Sequence, residues 1–403
     1  MSTSILYHGF GIQEHRYLRT EYGGGALIFH LERSPDRQRC AICGSLQVVR
    51  KGQRIRRIRT VPIGSKPVFL ALHLHRLQCR TCGGMRQEPI QVSFPKKRWS
   101  RMLARYVVEL LQHATVEDVA RHLRMSWDTV KEIHAWALEK KFRRRRIRHL
   151  QYLGIDEVSV RRGHRYLTIA VDLESGEVVW VEQGREASSL EPFLKRLRSA
   201  QAPIRAIALD MWPAYLRAIL AHYPHEVVVF DRYHVIADYN RLLDQLRTSE
   251  AQQAAQGEKR VYRGVRYLLL KGKEKLEGHP RAKARLEELL RLNQNLNTAY
   301  LLKEELREFW NCSSREKGEE YLDNWLVQAE SSGIELLVGF AAKLASHRYG
   351  LLNYFDHPIT TAQVEGTNNK IKVLKRQAYG FRDMHYFKLR IYNLHESRYA
   401  LVG

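Results

Sequence analysis

Nowhere does this 403-residue chain approach the ~20 consecutive uncharged apolar residues that a membrane span requires. Its opening, MSTSILYHGFGIQEHR, lacks the apolar core of a secretory leader, so the expected compartment is the cytoplasm, with thiols kept reduced. No glycine-rich phosphate loop occurs, and ATP use is not expected. Cysteine is scarce, at five residues. Acid is also short: 43 Asp and Glu stand against 67 Lys and Arg, a net charge of +24, which marks a binder of polyanions. The imbalance is concentrated, because residues 1–150 carry 30 basic and 11 acidic side chains. That third is the main candidate for nucleic-acid binding.

Four of the five cysteines fall as Cys40-Ala-Ile-Cys43-Gly44 and Cys79-Arg-Thr-Cys82-Gly83, two copies of C-x-x-C-G with 35 residues between them. A glycine after each pair permits the tight turn that aims backbone N–H groups at thiolates, and four thiolates close a tetrahedral zinc site. The expectation is a structural zinc ribbon, with a strand over Val68–His75 leading into the second knuckle. The alternatives are disulfides, which a reducing compartment opposes, and a redox pair, which would need a thioredoxin-like setting. His73 and His75 read as strand-face residues, and Cys312 as a packing residue.

A basic linker from Phe94 precedes three segments of helical periodicity: Arg101–His113, a short helix capped by Thr115, and Trp127–Lys141 capped by Ser126. Helix, short turn, helix is the shape that lays its second helix in the DNA major groove. It would bring Trp127, Thr129 and Lys131 to DNA, along with Asp128 and Glu132. The plain alternative is a three-helix packing unit. Arg143, Arg144, Arg145 and Arg146 follow directly and could neutralise phosphates, although such a run is often only a solvated linker.

From Gln151 the pattern turns to strands: a three-strand meander with turns at Gly163 and Gly176, then helix, strand ending at Asp210, helix, and a strand closing at Phe230. That is the order of a ribonuclease H-like fold, with Asp156 on the central strand and Asp210 at the end of its neighbour. Residues 238–355 are almost wholly helical in pattern and read as an insertion, contacting either DNA or a second subunit. The chain returns with TTAQVEGTNNKIKVLKRQAYGF at 360–381, where Thr360 and Gln363 suit a capping box and place Glu365 in a first helical turn. Three carboxylates so placed suggest a divalent-metal site. Glu157, next to Asp156, points to the opposite face and is expected to partner a surface cation. The expected class is therefore multi-domain α/β: a zinc-ribbon domain over 1–93, a helix-turn-helix domain with basic linkers over 94–148, a ribonuclease H-like, retroviral integrase-like domain over 149–237 and 356–403, and a helical insertion domain over 238–355.

The fragments GIDE (154–157), ALDMWPAY (208–215), VVVFDRYHV (227–235) and VEGTNNKIKVLKRQAYGFR (364–382) resemble the transposases of bacterial insertion sequences of the ISL-three family. The resemblance covers almost the whole chain. It implies a nucleoid-associated enzyme that binds the terminal inverted repeats of an element and target DNA, as a homodimer in the synaptic complex. Carried over residue by residue, the family's Asp-Asp-Glu triad falls on Asp156, Asp210 and Glu365. Two Mg²⁺ or Mn²⁺ ions held there, about 3.5 to 4 Å apart, would serve cleavage and strand transfer. The rivals are a catalytically inactive DNA-binding regulator and a structure-specific nuclease of the same fold.

Four further residues lie near that site. Asp231 and His234 form a D-x-x-H that reads equally as a helix cap with a packed histidine. Asn368 and Asn369 are placed to support the helix start. Lys370, Lys372, Lys375 and Arg376 make a cationic cluster for phosphates beside the cut, with a solvated basic face as the alternative.

Overall fold

The computed structural model describes residues 4–143, 146–161, 165–255 and 259–396. The chain divides into two compact units, Met1–Arg144 with Phe381–Gly403, and Arg145–Gly380.

The first unit opens with a one-turn-plus helix, α1 (Ile5–Phe10), and a sheet of β1 (His15–Gly23), β2 (Ala26–Arg33), β3 (Val48–Ile63), β4 (Lys66–Cys79) and β5 (Met85–Gln87). The order is β1-β2-β4-β3, with β5 also on β4. Alternation along β4 buries Val68, Leu70, Leu72 and Leu74 against Leu31 and Ile58, which is the core of this sheet. The long β3–β4 hairpin matches the strand expected before the second knuckle. The hairpin of β1 and β2 was not anticipated, because β1 is mostly exposed and carries no apolar alternation. Glu32 explains why β2 tolerates a buried carboxylate: it accepts from His75 Nε2 at 2.7 Å and Arg50 Nη1 at 3.0 Å, and also binds Arg16. His75 and His73 are thus strand-face residues, the latter bonded to His30 at 3.0 Å.

Three helices follow: α2 (Arg101–Leu110), α3 (Val116–Leu123) and α4 (Trp127–Phe142). Each start carries its cap. Ser100 accepts from the Leu103 N–H, Thr115 and Asp118 form a reciprocal capping box, and Ser126 accepts from the Thr129 N–H. Arg124 takes a left-handed φ of 50° to end α3, and the helices bury Leu103, Val107, Val119, Leu123, Val130 and Ile133 together.

The second unit is built on β6 (Tyr152–Arg161), β7 (Arg165–Asp172), β8 (Val178–Gln183), β9 (Ala206–Leu209) and β10 (Val228–Phe230), in the order β10-β9-β6-β7-β8. Strands β6, β7 and β8 pair antiparallel, whereas β9 and β10 run parallel to β6. This is the ribonuclease H-like arrangement, with β6 central. The Gly163 turn lies outside the described residues. Helices α5 (Ala187–Ser199) and α6 (Pro213–Leu220) cover one face, and α7 (Arg232–Gln253) leaves β10. The insertion continues through α8 (Lys259–Tyr262), α9 (Arg266–Leu270), α10 (Pro280–Leu292), α11 (Gln294–Glu308), α12 (Arg315–Ser331), α13 (Glu335–Ser346) and α14 (Arg348–Asp356). Its apolar stripes run into the same core as the sheet, including Tyr239, Leu243, Trp325 and Leu344.

Helix α15 (Ala362–Gln377) then returns to the free face of β6. The expected capping box is absent: Thr361 is the N-cap, and no side chain caps the helix. Gly154 permits the close approach, since a Cβ there would collide with Val364 Cγ2.

The last helix, α16 (Met384–Tyr392), departs from the expected partition, which kept 356–403 with the catalytic sheet. Tyr386 and Leu389 share the helix-turn-helix core, and the Tyr386 hydroxyl bonds His134 Nδ1 at 2.8 Å. The contact boundary falls at Gly380, so the C-terminal segment belongs to the first unit. Its apolar positions fit a helix on either core, and only the tertiary partner decides.

Candidate active site and nucleic-acid interface

Parallel pairing sets Gly154 of β6 opposite Ala208 of β9, so Asp156 and Asp210 lie level on one face, past the last paired residues of β9. Asp231, directly after β10, joins them. Each carboxylate has one oxygen anchored locally. Asp156 Oδ1 accepts from the Glu157 N–H at 2.8 Å, and Asp210 Oδ1 accepts from the Trp212 N–H at 3.0 Å. Burial raises the pKa of both above the ordinary carboxylate range, against the pull of His234.

From α15, Asn368 reaches into this cluster. Its Nδ2 donates to Asp156 Oδ2 at 2.9 Å, while its buried Oδ1 has no hydrogen-bond partner. The donors gathered here are hard oxygens, which suit a hard divalent cation, and the unpartnered amide oxygen fits the same use. Glu365 sits in the first turn of α15 as expected, but on its exposed side with Asn369, Lys372 and Arg376. Among the described residues, no carboxylate or histidine set brings three ligand atoms within 4.8 Å of one another, so the structure does not converge Asp156, Asp210 and Glu365.

Asp231 is the N-cap of α7. Its Oδ2 accepts from the Tyr233 and His234 N–H groups and from His234 Nδ1 at 3.2 Å, and its Oδ1 accepts from the Thr361 N–H at 3.0 Å. Although burial opposes it, these bonds hold its carboxyl below the usual range. The hydrogen bond that His234 Nδ1 donates to Asp231, with Asp156 and Asp210 nearby, pushes His234 up to about 9.

Glu157 corrects an expectation. It does face away from Asp156, but that face is covered, and Glu157 Oε2 is buried without a partner. Burial, then Asp210 and Asp156, push its carboxyl up to about 7. Opposite it on β7, Thr168 bonds Ser189 and Tyr215, each at 2.8 Å. Arg185, stacked on Tyr166 and Trp212, and then His234 are the cations that pull Glu157 the other way. Strand alternation locates this face correctly and leaves open that α5 and α6 cover it.

In the first unit, Cys40, Cys43, Cys79 and Cys82 bring their sulfurs within 4.8 Å of one another. Cys40 and Cys82 lie 3.7 Å apart, and Cys43 and Cys79 3.6 Å. A tetrahedron with Zn–S bonds of about 2.3 Å has edges of about 3.8 Å, so the set fits zinc. Gly44 and Gly83 take φ of 75° and 69°, and the Ile42 and Thr81 N–H groups point at Cys40 and Cys79, both at 3.3 Å. Backbone donation from Cys82 and Thr81 lowers the Cys79 thiol to about 6, favouring the thiolate.

Three stretches of the chain match models of known protein families. Residues 153–391 match the family model of the ISL3 transposase domain, described as "Transposase". Residues 95–133 match the helix-turn-helix domain of transposase family ISL3, and 36–82 the zinc-finger of the transposases of IS204, IS1001, IS1096 and IS1165. The transposase of IS1001 from Bordetella parapertussis is 35% identical over 96% of this chain and 95% of its own length. That of IS1557 from Mycobacterium tuberculosis is 30% identical over 92% and 89%. This chain belongs to the ISL3 family of transposases. A solved structure, the Drosophila P element transposase strand transfer complex, aligns with a TM-score of 0.38 at 9% identity, over 73% of this chain and 91% of that one, and carries no argument.

In this transposase the zinc ribbon and helix-turn-helix occupy the first unit, and DNA is its partner. No helix among the described residues is long and apolar enough to cross a membrane. Of the positions expected at DNA, Trp127 is exposed and Thr129 half-buried at the start of α4. Lys131 is occupied instead by Asp383 at 2.8 Å, and Glu132 pairs with Lys97. Arg143 and Arg146 are exposed, whereas Arg144 and Arg145 lie outside the described residues. Lys372 and Arg376 are exposed on α15, with Lys370 and Lys375 half-buried.

Proposed function

We propose that this transposase cuts the terminal inverted repeats of its element and joins the freed 3′ ends to target DNA at Asp156, Asp210 and Glu365. The observation that carries the reading is the level placement of Asp156 and Asp210 on adjacent central strands, with Asn368 of α15 bonded to Asp156 one turn after Glu365. Glu365 completes the set by its place in the VEGTNN motif, which matches the family's third carboxylate. Two Mg²⁺ or Mn²⁺ ions, when bound, supply activation of the attacking oxygen and stabilisation of the leaving one. Asp156, on the central strand, would hold both ions, Asp210 and Glu365 would each hold one, and Asn368 fixes the carboxylate of Asp156. Lys372 and Arg376 hold phosphates flanking the cut. A homodimer brings two transposon ends together.

The test is cleavage of a plasmid carrying the element's ends. Asp156→Asn, Asp210→Asn and Glu365→Gln are each expected to lose cleavage beyond detection while keeping end binding. Full activity of any one in Mg²⁺ removes that residue from the triad. Cleavage without joining in a strand-transfer assay identifies a nuclease, and binding without either reaction by the wild type identifies a regulator.

A further inference from the structure

The first unit holds a cleft of about 770 Å³ between strand β3 and the beginning of α4. Its sheet wall carries Arg54 and Arg57, its floor segment Lys96 and Arg98, and its helix-turn-helix wall Arg124. No acidic residue lines it. None of these five side chains makes a hydrogen bond or ion pair with a described residue, unlike Arg16, Arg50 and Lys131 elsewhere in the unit. Five cations around one concavity, of which Arg57 alone feels a carboxylate, that of Glu21, repel one another, and their mutual cost is relieved by a polyanion.

The two walls are fixed to each other. The Arg59 N–H donates to Arg98 O and the Ser100 N–H to Arg59 O, both at 2.8 Å, while Thr60 Oγ1 meets Ser100 Oγ at 2.9 Å. Arg59, stacked 5.0 Å over Phe69, reaches across to donate to Leu123 O at 2.9 Å, in the last turn of α3. Ser126, the N-cap of α4, and Thr129 in its first turn open onto the same cleft.

From these features we infer that β3 of the zinc sheet is a second DNA-binding element. It seats the phosphate backbone of the duplex whose major groove receives the start of α4. This rests on the transposase reading and adds to it a backbone site in the zinc domain. A helix-turn-helix presents the first residues of its second helix to base edges, so the flanking phosphates must lie beside that helix start, where the cleft is. Arg54 to Arg59 extends about 16 Å along the strand, the length of roughly five base pairs. The contact reads charge and spacing, not sequence. The cysteine knuckles stand at the other end of the hairpin, where Val48 pairs with Cys79, about 30 Å along the strand from Arg57. Zinc therefore acts on DNA only by holding the hairpin.

Backbone contacts need no particular sequence, so the probe is a labelled random-sequence 30-base-pair duplex, bound to the full-length zinc-loaded protein over a range of salt concentrations. Arg54 and Arg57 are exposed, and glutamine keeps their strand character. Arg54→Gln/Arg57→Gln should lower the slope of log affinity against log salt by about 1.8, two contacts at roughly 0.9 each. The charge-matched pair Lys195→Gln/Arg205→Gln, exposed on α5 and just before β9, should leave it unchanged. An unchanged slope in the first variant, or an equal fall in both, overturns the cleft while DNA binding itself stands. Tighter binding of an RNA duplex of the same length overturns the assignment to DNA. Failure of the wild type to bind any duplex removes the transposase reading along with the cleft.

Discussion

The cysteine cluster and the carboxylate cluster are built on opposite plans. Four sulfurs come from two like turns at one end of one hairpin, and the hairpin alone brings them within 4.8 Å. The oxygen and amide groups of the other cluster come from β6, from the end of β9 and from a helix more than 200 residues along the chain, with Asn368 bonded to Asp156 across 212 residues. A ligand set closed by local structure serves folding, because metal and hairpin form together. A set assembled from distant elements exists only after the whole unit has folded. Asp210 is anchored by one oxygen, to the Trp212 N–H, which leaves the other to respond to what binds.

The largest expected effect tests the local plan. Cys79→Ser should lose zinc and unfold the β3–β4 hairpin, because a structural zinc contributes about 10–16 kcal/mol in small units, as much as a whole domain's stability. Hydrogen exchange should show β6–β10 still protected. Loss of protection in both units would show that the zinc hairpin and the carboxylate sheet fold as one. Gly154→Val attacks the distributed plan instead: it drives α15 off β6 at a cost of about 3 kcal/mol, and should stop end cleavage while leaving duplex binding intact. Retained cleavage would mean that α15 need not lie on β6.

Asp231→Ala removes the cap of α7 and the anchor of Thr361 together, an expected loss of about 2 kcal/mol by urea denaturation. A loss of a few tenths would show that the cap does not tie the elements. The smallest effect concerns Glu157, whose carboxyl is pushed up to about 7, mainly by burial. Because its folded value is raised, its contribution to stability is complete below the ordinary carboxylate pKa and is lost as pH rises through about 7. In magnesium-free buffer, Glu157→Gln should therefore gain on the wild type by about 1 kcal/mol between roughly pH 5 and pH 8. A pH-independent difference in melting temperature would place that carboxylate in water.

What could be read in the sequence follows from range. The C-x-x-C-G pairs, the caps Thr115 and Ser126, and the strand order around Asp156 are local patterns, and the structure reproduces each. Features set by tertiary partners were not legible. The capping box at Thr360 gave way because the Thr361 N–H is held by Asp231, 130 residues earlier. Glu157 looked like a surface residue because alternation specifies a face and is silent on what covers it. Helix α16 carries an ordinary amphipathic stripe, and nothing in the stripe says that His134 is its partner. The β3 arginines were visible only as part of the basic third, since the cleft depends on pairing Arg59 with Arg98.

The bond from Asp231 to Thr361 also closes a loop. Together with Asn353, which donates to His225 O and Val228 O at 2.8 Å, it clasps the two ends of the helical excursion at its base. Bringing such ends together costs entropy that grows only with the logarithm of length, so halving or doubling the excursion changes the cost by just about 0.6 kcal/mol. With the clasps in place, a lineage is free to lengthen, shorten or replace the helices between them at little expense to the geometry beneath. The excursion is then the part of the molecule where homologues can differ most in size while Asp156 and Asp210 stay where they are.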